Sequence, residues 1–467
     1  MRKKAQFSAF AAFIVLVLLA ATGCGRDSGD EAKVHGRLEG VLTVNPAVDS
    51  TRDYSGFEVL VIDNTSGDVD TLGMAVTDSA GAFALDVRAP YRGVFPLIVS
   101  RNDVMLTLSE LVVADGDSGF VRAEFPLRGP GLIVRGSAEN GAWMAYRNAK
   151  DQHNKVLVDV MKNRDYDQEL IARVIRQTSN MMWSLRKTYP NTFGSALAAT
   201  EAVVMLDGWD DALLVARARE LPPDHPNLVE VVRAARRAEA RLAGQEAALA
   251  LVRAFQAKAP DEETWVALQS EIVLAHIDSL EQREALEAAQ TLAARAPDSR
   301  WAHWSERAIY ELENLMPGMP APGFAATDVE GRTVRLDSLR GRVVLLEYYA
   351  PKNPIFQREL GLRNQLFRAL EPFPFTVLSI SVDPDTLVNE AFLEGRDLPG
   401  VHIFAEGGLE GPLARLYNVN LLPTRFLINQ SGRIVSKYVG SAMTPLQIQI
   451  ADLLNLRRTA RASASTR

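Results

Sequence analysis

The stretch from Gly341 to Leu360, GRVVLLEYYAPKNPIFQREL, constrains the fold of this chain more than any other. VVLLEYY is a short, almost continuous apolar and aromatic run, the pattern of a strand buried in the middle of a sheet. A half-exposed strand alternates polar and apolar residues, and this one does not. Ala350-Pro351 breaks the run, and a helix follows that carries Arg358 and Glu359. Buried strand, break and helix in that order predict an α/β layer.

This segment resembles the active-site segment of the TlpA/ResA-like, redoxin (AhpC/TSA) branch of the thioredoxin superfamily, whose usual text runs roughly VVLVNFWATWCPPCRAEMP. Laid on that pattern, Tyr349 and Ala350 fall on the family's Trp-Ala, Asn353 on its nucleophilic Cys, Pro354 on the first intervening residue and Phe356 on the resolving Cys. The resemblance covers residues 317–456. Upstream, Asp328 to Gly331 fall on the turn of the family's first hairpin. Downstream, FTVLSISVDPD falls on the next buried strand, and Pro423 on the cis-proline that faces the redox motif.

The resemblance implies a thioredoxin fold, and the residues at its centre depart from what the family's chemistry needs. Dithiol exchange needs a thiolate to attack and a second thiol to resolve the mixed disulfide, and neither an amide nor a phenyl ring does either. Ala350-Pro351-Lys352-Asn353 likewise lacks the Thr and Cys of a peroxiredoxin T-x-x-C site. Glu347 falls where the family often keeps a buried carboxylate as a proton acceptor. With no nucleophile beside it, Glu347 is read as a relic, held by hydrogen bonds or partly solvated at a strand end. No catalytic residue is assigned. The candidate ligand face comprises Asn353, Pro354, Ile355, Phe356 and Pro423, because an extended chain can still lie against backbone beside a cis-proline.

The N-terminus is the second informative region. Arg2-Lys3-Lys4 precedes an apolar run from Ala9 to Ala21, too short to span a bilayer, and Thr22-Gly23-Cys24 follows. Residues 1–23 resemble a bacterial lipoprotein signal peptide with Cys24 as the lipidated residue, and an ordinary secretory signal is the alternative. Cys24 is the single cysteine of the chain. Lipidation would leave the mature protein without a free thiol or a disulfide in a compartment where disulfides persist. Residues 24–33 then read as the lipidated Cys and a short polar tether.

Residues 34–130 switch to period two with turn punctuation, giving seven strand candidates and an antiparallel β-sandwich. Thr77 to Phe83, TDSAGAF, resembles the T-D-x-x-G-x-F hairpin of carboxypeptidase-regulatory-like domains, in which Asp and Gly shape the turn and Phe packs inward. Residues 138–315 become helical. Pro-Asp recurs at 223, 260 and 297, with Val215, Val252 and Ala289 at the same offset. That repeat predicts helical hairpins and is similar to a tetratricopeptide array. Residues 457–467, small and basic, are expected to close the chain as a disordered tail.

The expected architecture is therefore an all-β sandwich, an all-α hairpin array and an α/β thioredoxin fold. A formal net charge of −7 argues against nucleic acid as a partner. The six histidines show no metal-ligand spacing, and neither metal nor cofactor is assigned. Three functions remain open. The first is a redox-inactive envelope lipoprotein, anchored at a membrane, that binds a protein or peptide. The second is a thiol-disulfide oxidoreductase working with a partner's cysteine or a redox cofactor, and the third is a structural spacer or assembly factor.

Overall fold

The computed structural model describes residues 34–65, 69–129, 131–162, 167–297 and 299–456. The leader, Cys24 and the tail at 457–467 lie outside the described residues. The chain forms two compact units, one ending at Thr264 and one beginning at Trp265.

The first unit opens with eight strands: β1 (Val34–Val44), β2 (Phe57–Asp63), β3 (Asp70–Val76), β4 (Ala82–Ala89), β5 (Gly93–Arg101), β6 (Val104–Val113), β7 (Ser118–Phe125) and β8 (Val134–Arg135). They make two four-stranded sheets, ordered β4-β1-β7-β8 and β3-β2-β5-β6. Alternate residues of both sheets, among them Leu38, Leu42, Phe57, Val59, Leu85, Val87, Leu97 and Val99, meet in one shared core. Burying each such side chain contributes about 1.5–3 kcal/mol.

Two features depart from the sequence reading. β1 and β7 pair in parallel, so the sheets are not wholly antiparallel. The Thr77–Phe83 segment joins strands of different sheets, so it is a corner and not a hairpin. Its residues still do what their chemistry suggests. Asp78 accepts from the Ala80 and Ala82 amides at 2.9 Å each, and Phe83 packs into the core. Gly81 has φ +80°, and a Cβ there would stand 2.0 Å from the Leu42 carbonyl oxygen, so no side chain fits.

Helices follow: α1 (Ala138–Lys162), α2 (Gln168–Thr188), α3 (Phe193–Val204), α4 (Asp211–Glu220), α5 (Leu228–Ala243) and α6 (Gln245–Gln256), with α7 (Glu262–Asp278) at the join between units. α1 is tied to β6 by one buried side chain. Asn140 accepts from the Val112 amide at 2.8 Å and donates to the Val112 carbonyl at 3.0 Å, as a neighbouring strand would. Side chains also start the helices: Asp167, Thr192 and Asp210 accept from free amides of α2, α3 and α4.

In the second unit α8 (Gln282–Arg295) and α9 (Arg300–Asn314) form the last hairpin. Val215, Val252 and Ala289, the residues at the repeat offset, sit buried on α4, α6 and α8. The segment 138–315, read as one array, is divided between the two units.

The short strands β9 (Ala325–Thr327) and β10 (Thr333–Arg335) flank the turn at Asp328, which accepts from the Glu330 and Arg332 amides. Then come β11 (Val343–Tyr349), α10 (Pro354–Leu370), β12 (Phe375–Ser381), α11 (Thr386–Leu393), β13 (Val401–Phe404), α12 (Pro412–Leu416), β14 (Thr424–Ile428), β15 (Ile434–Val439) and α13 (Met443–Leu453). The sheet order is β13-β12-β11-β14-β15, with β11 central, parallel to β12 and antiparallel to β14. Val343 and Leu345 face a core with Phe367 of α10 and Leu446 of α13, while Val344, Leu346 and Tyr348 face a second core with Tyr417 and Leu315. Two apolar faces are why VVLLEYY does not alternate.

α9 is joined to this fold by polar bonds. Tyr310 donates to the Leu416 carbonyl at 3.0 Å, and Asn418 bonds Arg307 and Glu311. Lys437 reaches the Glu311 carboxylate at 2.7 Å. Among the described residues no helix is long and apolar enough to cross a membrane.

Candidate functional site

The junction of β11 and α10 carries Asn353 and Phe356, the residues that the resemblance lays on the family's redox pair. Asn353 is the N-cap of α10. Its Oδ1 accepts from the Ile355 and Phe356 amides at 3.0 Å each, satisfying donors that the first turn leaves unpaired. Pro354, with no N–H of its own, suits the position that follows. The other end of the Asn353 amide donates to the Leu422 carbonyl at 3.2 Å. The Leu422–Pro423 peptide bond is cis, as the alignment with the family suggests. Asn353 therefore bridges the helix start to the cis-proline loop with its polar groups already engaged.

Phe356 does something else. It is 1% exposed and stacks on Tyr349, with ring centroids 4.4 Å apart, while Phe392 of α11 closes the cluster at 6.0 Å. Its ring belongs to the core and presents nothing to a ligand. Pro423 is buried as well. This corrects the ligand face expected from the sequence: Phe356 and Pro423 leave it, Pro354 is exposed, and Ile355 and Asn353 are half-buried. The exposed residues sequence reasoning missed are Lys352 and Leu421, the latter 61% exposed two residues before Pro423. A large apolar residue beside a cis-proline is the pattern that could have drawn notice to Leu421.

Glu347 is neither at a strand end nor solvated. It lies within β11 and is fully buried. Arg363 of α10 donates to one carboxylate oxygen at 2.6 Å, and Arg425 of β14 donates to the other at 2.9 Å. Arg363 also donates to Ser379 of β12 at 2.5 Å, and its guanidinium lies 4.7 Å from the Phe367 ring centre. Arg425 forms a second ion pair with Glu359 at 2.9 Å, in a geometry that is not a hydrogen bond. Glu359 accepts in turn from Ser441 and from the Ala442 amide. Two carboxylates and two guanidiniums thus balance inside the domain.

Burial alone would raise the Glu347 carboxyl, but the charges of Arg363 and Arg425, with their hydrogen bonds, outweigh it and hold the group below the usual carboxylate range. A carboxylate held ionised with both oxygens occupied is a poor proton acceptor. An arginine in the middle of the apolar strand TRFLI was the available sign, because a buried cation requires a partner.

Among the described residues no group of three His, Cys, Asp or Glu side chains is placed to hold a metal ion. At the two positions laid on the family's redox pair, the Asn353 amide and the Phe356 ring offer hydrogen bonding and packing.

Residues 317–437 match the AhpC/TSA family. The thiol-disulfide oxidoreductase ResA of Geobacillus thermodenitrificans is 30% identical over 132 residues, which are 28% of this chain and 74% of that protein. ResA of Bacillus cereus is 27% identical over 130 residues, 28% of this chain and 73% of that protein. Among solved structures, a putative thiol:disulfide interchange protein DsbE from Chlorobium tepidum is 28% identical and covers 30% of this chain and 99% of its own, with a TM-score of 0.27. Through its C-terminal thioredoxin-like domain, this chain belongs to the AhpC/TSA family.

Proposed function

We propose that this chain is a redox-inactive, thioredoxin-like lipoprotein of the cell envelope, held at a membrane through Cys24, whose C-terminal domain binds a protein or peptide. One observation carries the reading: the two thiol positions hold Asn353, with both ends of its amide bonded, and Phe356, packed into the core. The buried carboxylate at 347 points the same way, since its two arginines engage both oxygens and hold it ionised. Exposed Pro354 and Leu421 give a peptide an apolar rim to rest on. Asn353 already occupies one lone pair of the Leu422 carbonyl, so recognition there depends more on side chains than on strand-like backbone pairing.

The competing reading is the disulfide chemistry in the names of the relatives. Purified chain, supplied with reduced glutathione, is expected to reduce insulin disulfides no faster than glutathione alone, and turnover above that background would overturn redox inactivity. Binding is tested by photocrosslinking in the native envelope with the probe at Leu421, against a control probe on an exposed position of α13. Capture of one protein from Leu421 alone supports the reading, and identical patterns from both positions end it.

A further inference from the structure

A groove of about 1070 Å³ lies in the first unit, walled by α2, the turn into α3, α4 and the loop after α4. Arg217 of α4 lines it and is 6% exposed. Its guanidinium donates to Ser179 and to Asn180, both neutral. Among the described residues no carboxylate forms an ion pair with it, and Glu220 and Asp210 act on it only at longer range. A buried guanidinium normally has a counter-charge, because hydrogen bonds to neutral groups do not repay its lost hydration.

The surroundings add positive charge instead. The Trp183 ring has the Arg217 guanidinium 5.1 Å from its centre and that of Arg186 at 4.1 Å. Arg186 has one loose ion pair, 3.9 Å to Glu220, which is 63% exposed and so strongly screened. Lys187, on the groove wall, is exposed and makes no ion pair among the described residues. His225 lines the same groove within 2.9 Å of the Thr200 hydroxyl, and burial together with the charge of Arg186 pushes it down to about 4, so it stays neutral near pH 7. Against these stand the carboxylates of Glu220 and Asp224.

We propose that this groove binds a peptide through a carboxylate, with Arg217 and Arg186 as its cationic contacts and Trp183 as the apolar floor. A planar carboxylate matches the fork of a guanidinium and supplies the charge that Arg217 lacks. The volume is just above the roughly 300–1,000 Å³ of small-ligand pockets, more than a lone anion fills, and Trp183, Phe193, Leu221 and Pro222 offer apolar contact to neighbouring residues. The site is separate from the thioredoxin-like domain and does not depend on the function proposed for it.

The test is fluorescence anisotropy on the full chain with a pool of dye-labelled hexapeptides, randomised except for a C-terminal Glu-Glu with a free carboxylate. Binding is expected to weaken with salt and to fall about tenfold or more in Arg217→Met and in Arg186→Ala. Lys187→Glu, a surface change, should weaken it without affecting folding. Pools with an amidated C-terminus, or with Gln-Gln in place of Glu-Glu, separate a terminal carboxylate from side-chain ones, and loss of binding in either supports the proposal. No detectable binding of the acidic pool, equal binding of an amidated Gln-Gln pool, or unchanged affinity in both Arg186→Ala and Lys187→Glu would overturn it.

Discussion

Two buried arginine sites in this protein are built on opposite principles. At the centre of the thioredoxin-like sheet, Arg363 and Arg425 meet Glu347 and Glu359, and the charges cancel within the core. In the helical groove, Arg217 is almost as deeply buried and meets only neutral oxygens and an indole. A balanced set is upset by the loss of any member and needs nothing from outside. An unbalanced one is poised for a ligand. The contrast separates a site whose charges are matched internally from one whose guanidinium meets only neutral partners.

The largest expected effect comes from unbalancing the balanced set. Glu347→Gln leaves two buried guanidiniums facing one remaining carboxylate and should destabilise the C-terminal unit by about 3–5 kcal/mol in urea unfolding. A loss below about 1 kcal/mol would show that the network is dispensable. Phe356→Ala removes a stacked ring from the adjoining cluster and should cost about 3–5 kcal/mol as well.

Acid should affect the two regions over different ranges. His225 has its folded value lowered from 6.5 to about 4, so protons bind the unfolded chain first. Its contribution is full above pH 6.5 and is lost as pH falls toward 4, a change of roughly 3 kcal/mol. His225→Gln should flatten stability across that window. Glu347 also has a lowered folded value, so its contribution persists down to the ordinary carboxylate range and fades only below it. A stability profile that is level from pH 7 to 5 would remove the groove's half of the comparison.

Smaller effects come from the cap and from the unbalanced arginine. Asn353→Ala should cost about 0.5–2 kcal/mol, the value of an N-cap, by thermal unfolding. Arg217→Met should change stability by no more than about 1 kcal/mol in the absence of peptide, because the loss of two hydrogen bonds is offset by relief of an uncompensated charge. A large loss there would place Arg217 with the structural arginines.

Local chemistry was legible in the sequence. The run 343–349 follows from neighbours in the chain, while the turn at Asp328 and the cis position of Pro423 came through the resemblance to the family. What was missed depends on distant partners. Phe356 was taken for a ligand contact because its ring neighbour Phe392 lies 36 residues away on another helix. Glu347 was seen alone because Arg425 lies 78 residues on. The parallel pairing of β1 with β7 escaped for the same reason, since periodicity gives a strand's faces but not its neighbours. The groove had no motif at all, because its charges come from separate helices and acquire meaning only from burial.

The attachment of α9 has a practical consequence. The similarity to known proteins begins at residue 317, after α9 has ended at Asn314. Yet Leu315 is part of the core beneath the sheet, with Tyr310 packed against it, and Arg307 and Glu311 hold Asn418. A fragment cut at the limit of similarity would uncover one side of the very domain it was meant to isolate, whereas one begun at Trp265 would keep that cover. The portion that inheritance marks out is shorter than the compact unit that contains it.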